Sequence, residues 1–79
     1  MTRNAIYDKV KEYILTQLPV DASRVVESAA IVDDLGADSA NLMMLIMDLE
    51  TEFNMQVEDE ALGGIKTVGD VVDYIAENL

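Results

Sequence analysis

Apolar positions along this 79-residue chain fall into helical patterns, and no stretch shows the alternation of a half-buried strand. Ile6, Val10, Tyr13, Ile14 and Leu18 recur at three- and four-residue spacing, which predicts an amphipathic helix from Thr2 or Arg3 to Gln17, stopped by Pro19. From Pro19 to Asp38 the periodicity lapses into a connection of about twenty residues, longer than loops of compact domains usually are. Its Val25, Val26, Ile31 and Leu35 are expected to tack it onto the core. A second helix is expected from Asp38 or Ser39, either of which can cap it, to about Asn54. A short turn of helix fits Glu58 to Leu62, closed by Gly63 and Gly64. Thr67-Val68-Gly69-Asp70 has the Thr-x-x-Asp form of a capping box and opens a last helix whose Val68, Val71, Val72 and Ile75 share one face. The predicted fold is all-α: one domain over residues 1–79, a small bundle of three main helices plus one short helix, with a long loop between helices one and two.

The second helix is apolar on two sides. At about 100° per residue, Leu42, Leu45, Ile46, Leu49 and Phe53 occupy one core-facing stripe. Ala40, Met43, Met44 and Met47 form another, centred roughly 150° away. A bundle this small cannot bury both stripes among its helices. Either the methionine side is a second packing face covered by the long loop, or it is a partly exposed, deformable contact surface. Asp38, Asp48, Glu50 and Glu52 would rim such a surface with negative charge and suit it to basic partner proteins.

Composition narrows the chemistry. Sixteen acidic and five basic residues give a formal charge of −11, which repels nucleic acid and favours basic partners. The acidic field lies late in the chain: residues 1–24 hold four basic and three acidic groups, residues 25–79 one basic and thirteen acidic. Without cysteine there is no disulfide, thiolate zinc site or thiol nucleophile. Without histidine the usual base for activating a serine is missing, so Ser39 is no triad nucleophile. Asp33, Asp34 and Asp38 around Gly36 lack the register of a calcium loop, and no metal site is predicted. No apolar run approaches the ~20 residues that span a bilayer, and the N-terminus lacks the apolar core of a signal peptide; a cytoplasmic monomer is the expectation. So small a domain has little room for a deep cleft, which favours binding or carrying over catalysis. Read locally, Asp38-Ser39 is only a helix cap.

Its setting says more. Leu35-Gly36-Ala37-Asp38-Ser39, an uninterrupted helix ending in Leu49-Glu50-Thr51-Glu52-Phe53, and the later Thr67-Val68-Gly69-Asp70-Val71-Val72-Asp73-Tyr74-Ile75 together resemble the acyl carrier protein family over nearly the whole chain. The resemblance implies that Ser39 is the attachment point of 4′-phosphopantetheine, transferred from coenzyme A by a phosphopantetheinyl transferase, with Asp38 helping to present the serine. On that reading the chain is not an enzyme. It is a carrier whose acquired thiol holds acyl groups as thioesters for acyl-transferring and condensing enzymes of fatty-acid, polyketide or related pathways, which dock through basic patches. Ala40, Met43, Met44, Met47 and Asp48 would form the partner surface, and the bundle would open to shelter an acyl chain among Leu42, Ile46, Leu49, Phe53, Ile65, Val71 and Ile75. Two positions depart from the family pattern: Ala40 stands where leucine usually follows the serine, and Met44 replaces a common glutamate. These departures suggest a specialised carrier with its own partners. The competing readings are an unmodified acidic interaction module and a D-alanyl or peptidyl carrier. Peptidyl carriers usually place glycine and histidine before the serine, where this chain has Ala37 and Asp38.

Overall fold

The computed structural model describes residues 2–79 and contains four α-helices: α1 (Arg3–Gln17), α2 (Ser39–Phe53), α3 (Asp59–Leu62) and α4 (Val68–Asn78). α1, α2 and α4 start where the sequence pattern predicts, each with a side-chain cap. The Thr2 hydroxyl accepts the Ala5 N–H at 3.2 Å to open α1. Glu58, expected inside the short helix, is the residue before α3. The Thr67–Asp70 box forms in both directions: Thr67 Oγ1 accepts the Asp70 N–H at 3.1 Å, and Asp70 Oδ2 accepts the Thr67 N–H at 3.0 Å. Asp70 Oδ2 also accepts the Lys66 N–H, and these two backbone bonds hold its carboxyl below the usual carboxylate range.

The helical arrangement is the one expected, all-α with three longer helices and a short one, and α1 packs against both α2 and α4. Ile6, Val10, Ile14 and Leu18 bury the inner face of α1, with Tyr13 half-buried beside them. Val68, Val71, Val72 and Ile75 of α4 meet them across the core. The stripe of α2 is buried at Leu45, Ile46, Leu49 and Phe53, while Leu42, one turn from the helix start, is only half-buried.

The long loop contains a 3₁₀ turn at Ala22–Arg24 that sequence periodicity did not indicate. Val25, Ala29, Ile31, Leu35 and Ala37 anchor it in the core. Val26, expected among these anchors, is instead 46% exposed. It follows Val25 directly, and backbone leaving the 3₁₀ turn sends only the first of the two adjacent valines inward.

Backbone bonds fix the loop's course. The N–H groups of Val68 and Gly69, two of the donors every helix leaves unpaired at its start, donate to the carbonyls of Ala29 (3.0 Å) and Glu27 (2.8 Å). The Ile31 N–H donates to the Lys66 carbonyl at 2.9 Å, next to an isolated antiparallel bridge between Ala30 and Thr67. Arg3 adds ion pairs to Glu27 of the loop and Asp73 of α4. The loop therefore lies against the start of α4, not over the methionines of α2. Met43, Met44 and Met47 are 46%, 56% and 59% exposed, which rules out the second-packing-face reading of that side.

Candidate functional site

The approach to Ser39 is held on both sides of a glycine turn. Leu35 and Ala37 are buried, and Gly36 between them adopts φ +77°, a left-handed conformation that costs glycine nothing and strains other residues. The Gly36 and Ala37 N–H groups donate to the carbonyls of Val32 and Ile31, both at 3.1 Å. Asp34 tightens the turn before them: its carboxylate accepts the Ala30 N–H at 2.7 Å, and its carbonyl accepts Arg24 Nη2 at 2.8 Å.

Of the two residues able to cap α2, Asp38 does so. Its Oδ1 accepts the Asn41 N–H at 2.8 Å, and Asn41 Oδ1 accepts the Asp38 N–H at 3.2 Å. Ser39 is then the first helical residue, exposed, and its hydroxyl has no hydrogen-bond partner among the described residues. A free hydroxyl at the amide end of a helix suits a phosphodiester, because the positive end of the helix dipole favours added negative charge. The residues present thus fit a phosphate-linked group. Among the described residues no three metal-ligating side chains cluster.

Beyond Ser39, the outward face of α2 presents Ala40, Met43, Met44 and Met47, all exposed. The carboxylates beside them are engaged. Asp48 Oδ2 accepts Gln17 Nε2 at 2.8 Å, and Glu52 Oε1 accepts the Tyr13 hydroxyl at 2.6 Å. The bond to Glu52, followed by burial, pushes the Tyr13 phenol up to about 12. Glu50 Oε2 accepts the Val57 N–H at 2.8 Å, and the Glu50 carbonyl accepts the N–H groups of both Asn54 and Met55 around a left-handed Asn54 (φ 51°).

Five of the seven residues considered for acyl-chain lining (Ile46, Leu49, Ile65, Val71 and Ile75) surround one narrow apolar pocket of about 10 Å³ between α2 and α4. Leu42 and Phe53 are not among its walls. Met55, Val57 and Tyr74 are, together with Glu50. Met55 and Val57 follow α2 in a stretch without periodicity, so no pattern in the sequence marks them.

Comparison with known proteins agrees with this geometry. The family model for a phosphopantetheine attachment site matches residues 8–75. The chain is 50% identical over 78 residues to the acyl carrier protein of Thermotoga maritima, covering 99% of this chain and 96% of that one. It is 47% identical over 74 residues to the acyl carrier protein of Wolinella succinogenes, covering 94% and 97%. The solved structure of an acyl carrier protein from Enterococcus faecalis superposes with a TM-score of 0.85 at 39% identity, covering 100% of both chains. The relatives are carriers by name, and the attachment-site match implies covalently bound 4′-phosphopantetheine. With a helical bundle that presents one free serine at the capped start of α2, this chain belongs to the acyl carrier protein family.

Proposed function

We propose that Ser39 bears the 4′-phosphopantetheine and that residues 1–79 work as one carrier domain with no catalysis of their own. The observation that carries this is the division of labour at the start of α2: Asp38 makes the cap, so the exposed Ser39 hydroxyl is left for modification. In the transfer, Ser39 Oγ bonds to the phosphorus of coenzyme A nearest the pantetheine. The bond from that phosphorus to the bridging oxygen breaks, and adenosine 3′,5′-bisphosphate leaves. The hydroxyl proton passes to a base on a separate phosphopantetheinyl transferase, since this chain has no histidine to accept it. When bound, the group supplies a thiol on a flexible arm to a chain that has no cysteine. The amide end of α2 favours the new negative charge by about 0.3–1 kcal/mol.

The pocket between α2 and α4 is the reading's site for an acyl chain, with Ile46, Leu49, Ile65, Val71 and Ile75 as its walls. At about 10 Å³ it is at the lower limit for a single water, so α2 and α4 must part to admit cargo. Ala40 and Met44 support a specialised carrier, a monomer of the cytoplasm that serves acyl-transferring or condensing enzymes of its own pathway.

Incubation of the apo chain with coenzyme A and a broad phosphopantetheinyl transferase tests the attachment. The expected outcome is a mass gain of one phosphopantetheinyl group, abolished by Ser39→Ala. No gain with several transferases would overturn it in favour of an unmodified interaction module.

A further inference from the structure

The walls of the apolar pocket between α2 and α4 are not held equally. Ile46 and Leu49 lie within α2, and Val71 and Ile75 within α4, where helical hydrogen bonds before and after each residue fix the backbone. Met55 and Val57 form a further wall on the irregular segment after α2, half-buried there between the exposed Asn54 and Gln56. Among the described residues, every hydrogen bond made by the backbone of residues 54–57 ends on Glu50. Its carbonyl accepts the N–H groups of Asn54 and Met55, the second at 3.0 Å, and its Oε2 accepts the Val57 N–H at 2.8 Å. Glu50 is itself half-buried in the pocket wall.

These attachments differ in kind. The carbonyl bonds close the end of α2 around the left-handed Asn54 (φ 51°) and use backbone alone. The bond to Val57 rests on one rotatable carboxylate. If the carboxylate turns away, Val57 and the Met55 side chain can swing outward while the end of α2 stays formed. Parting of α2 and α4 to admit cargo therefore begins most readily at this wall.

We infer that Glu50 sets which acyl chains the carrier shelters: its carboxylate latches Val57 over the pocket, Asn54 is the hinge, and a chain enters only when its burial offsets the broken bond. This deepens the carrier reading and rests on the pocket as the site of the acyl chain. A hydrogen bond to a charged group is worth about 10- to 150-fold in an equilibrium, and burial of one methylene about fourfold. About two to four buried methylenes thus balance the latch. An acetyl group has none and stays outside, whereas an octanoyl chain exceeds the threshold and enters.

The test compares the chain loaded by a broad transferase from acetyl-coenzyme A with the chain loaded from octanoyl-coenzyme A. In the unchanged protein the octanoyl form should melt higher, and its Val57 amide should exchange at least about tenfold faster than in the acetyl form. The Met55 amide, on the hinge, should change by less than about threefold. Glu50→Ala removes a bond that only the closed pocket makes. It should lower the Tm of the acetyl form by about 4–8 °C and that of the octanoyl form little, so the gap between the two widens. A bond that merely stabilised the fold would be lost from both forms alike; an unchanged gap therefore overturns the inference. So does a Val57 amide equally protected in both forms of the unchanged protein, a readout that needs no variant to fold. Acetyl and octanoyl forms with the same Tm would overturn the inference and the pocket as an acyl site together, leaving the carrier intact. If no transferase loads the chain, the carrier reading falls and takes this inference with it.

Discussion

Gly69→Ala sets helix propensity against packing at the point where the long loop meets α4. Alanine in place of glycine inside a helix gains up to about 1 kcal/mol, and that alone predicts a more stable protein. Gly69 is buried, however, and its N–H donates to the Glu27 carbonyl at 2.8 Å. A Cβ at this position would lie 3.0 Å from that same oxygen and 3.4 Å from both Cβ and Oε1 of Glu27. The carbonyl cannot retreat freely: moving it lengthens its bond to Gly69 and drags a residue whose side chain is held by Arg3. Overpacking of this kind typically costs about 1–3 kcal/mol. The packing cost exceeds the propensity gain, and we expect a net loss of about 1 kcal/mol, a fall in Tm of roughly 4–8 °C for a domain of this size. Thermal melting followed by circular dichroism at fixed salt measures it. Amide hydrogen exchange should quicken at Ile31 and Ala37, whose bonds carry the strain towards Ser39. A Tm that rises or stays level would refute the reasoning, because the loop would then be soft enough to yield at this contact.

Three further outcomes follow from the charges. The Asp70 carboxyl is depressed by its bonds to the Lys66 and Thr67 amides, so its stabilisation is complete at neutral pH and is lost as pH falls through its folded value. Urea midpoints of the unchanged chain and Asp70→Asn should therefore differ at pH 7 and converge well below pH ~4, and a constant gap would count against the assignment. Tyr13 is raised to about 12 by its bond to Glu52, so it binds its proton more tightly when folded; its contribution is complete below the unfolded value of about 10 and is lost as pH rises through about 12. The stability difference between the unchanged chain and Tyr13→Phe should shrink over that window, and a difference that grows instead would contradict the bond. Finally, the molecule measures 28 × 25 × 19 Å, within the Debye length of ~30 Å at 0.01 M salt and well beyond the ~8 Å at 0.15 M. Its carboxylates repel across the whole protein at low salt, and Tm should rise between those two concentrations; a level or falling Tm would show that this repulsion is small.

The helices were legible because their signals are local. Ile6, Val10 and Ile14 on α1, and Val68, Val71, Val72 and Ile75 on α4, are buried as their spacing requires, and the Thr67–Asp70 box closes within four residues. The long loop was legible only as a loop. Its bonds join Glu27, Ala29 and Ile31 to Gly69, Val68 and Lys66, residues distant in the chain, and periodicity carries no information about such pairs. For the same reason Val26 and Val25 were indistinguishable until the 3₁₀ turn set their directions, and the small anchors Ala29 and Ala37 gave no apolar signal strong enough to stand out.

That loop also decides the question the helical wheel left open on α2. A wheel finds two apolar stripes but cannot say which of them another segment covers. Both helices close a capping box of their own, Asp38–Asn41 on α2 and Thr67–Asp70 on α4, but the first amides of α4, at Val68 and Gly69, take their acceptors from loop carbonyls at Ala29 and Glu27. Those bonds hold the loop against α4, and Met43, Met44 and Met47 stay exposed. The acidic rim read from the sequence is present, yet Asp48 and Glu52 are held by Gln17 and Tyr13 of α1, partners invisible to any pattern within α2. A net charge of −11 consequently overstates how much free charge this helix carries.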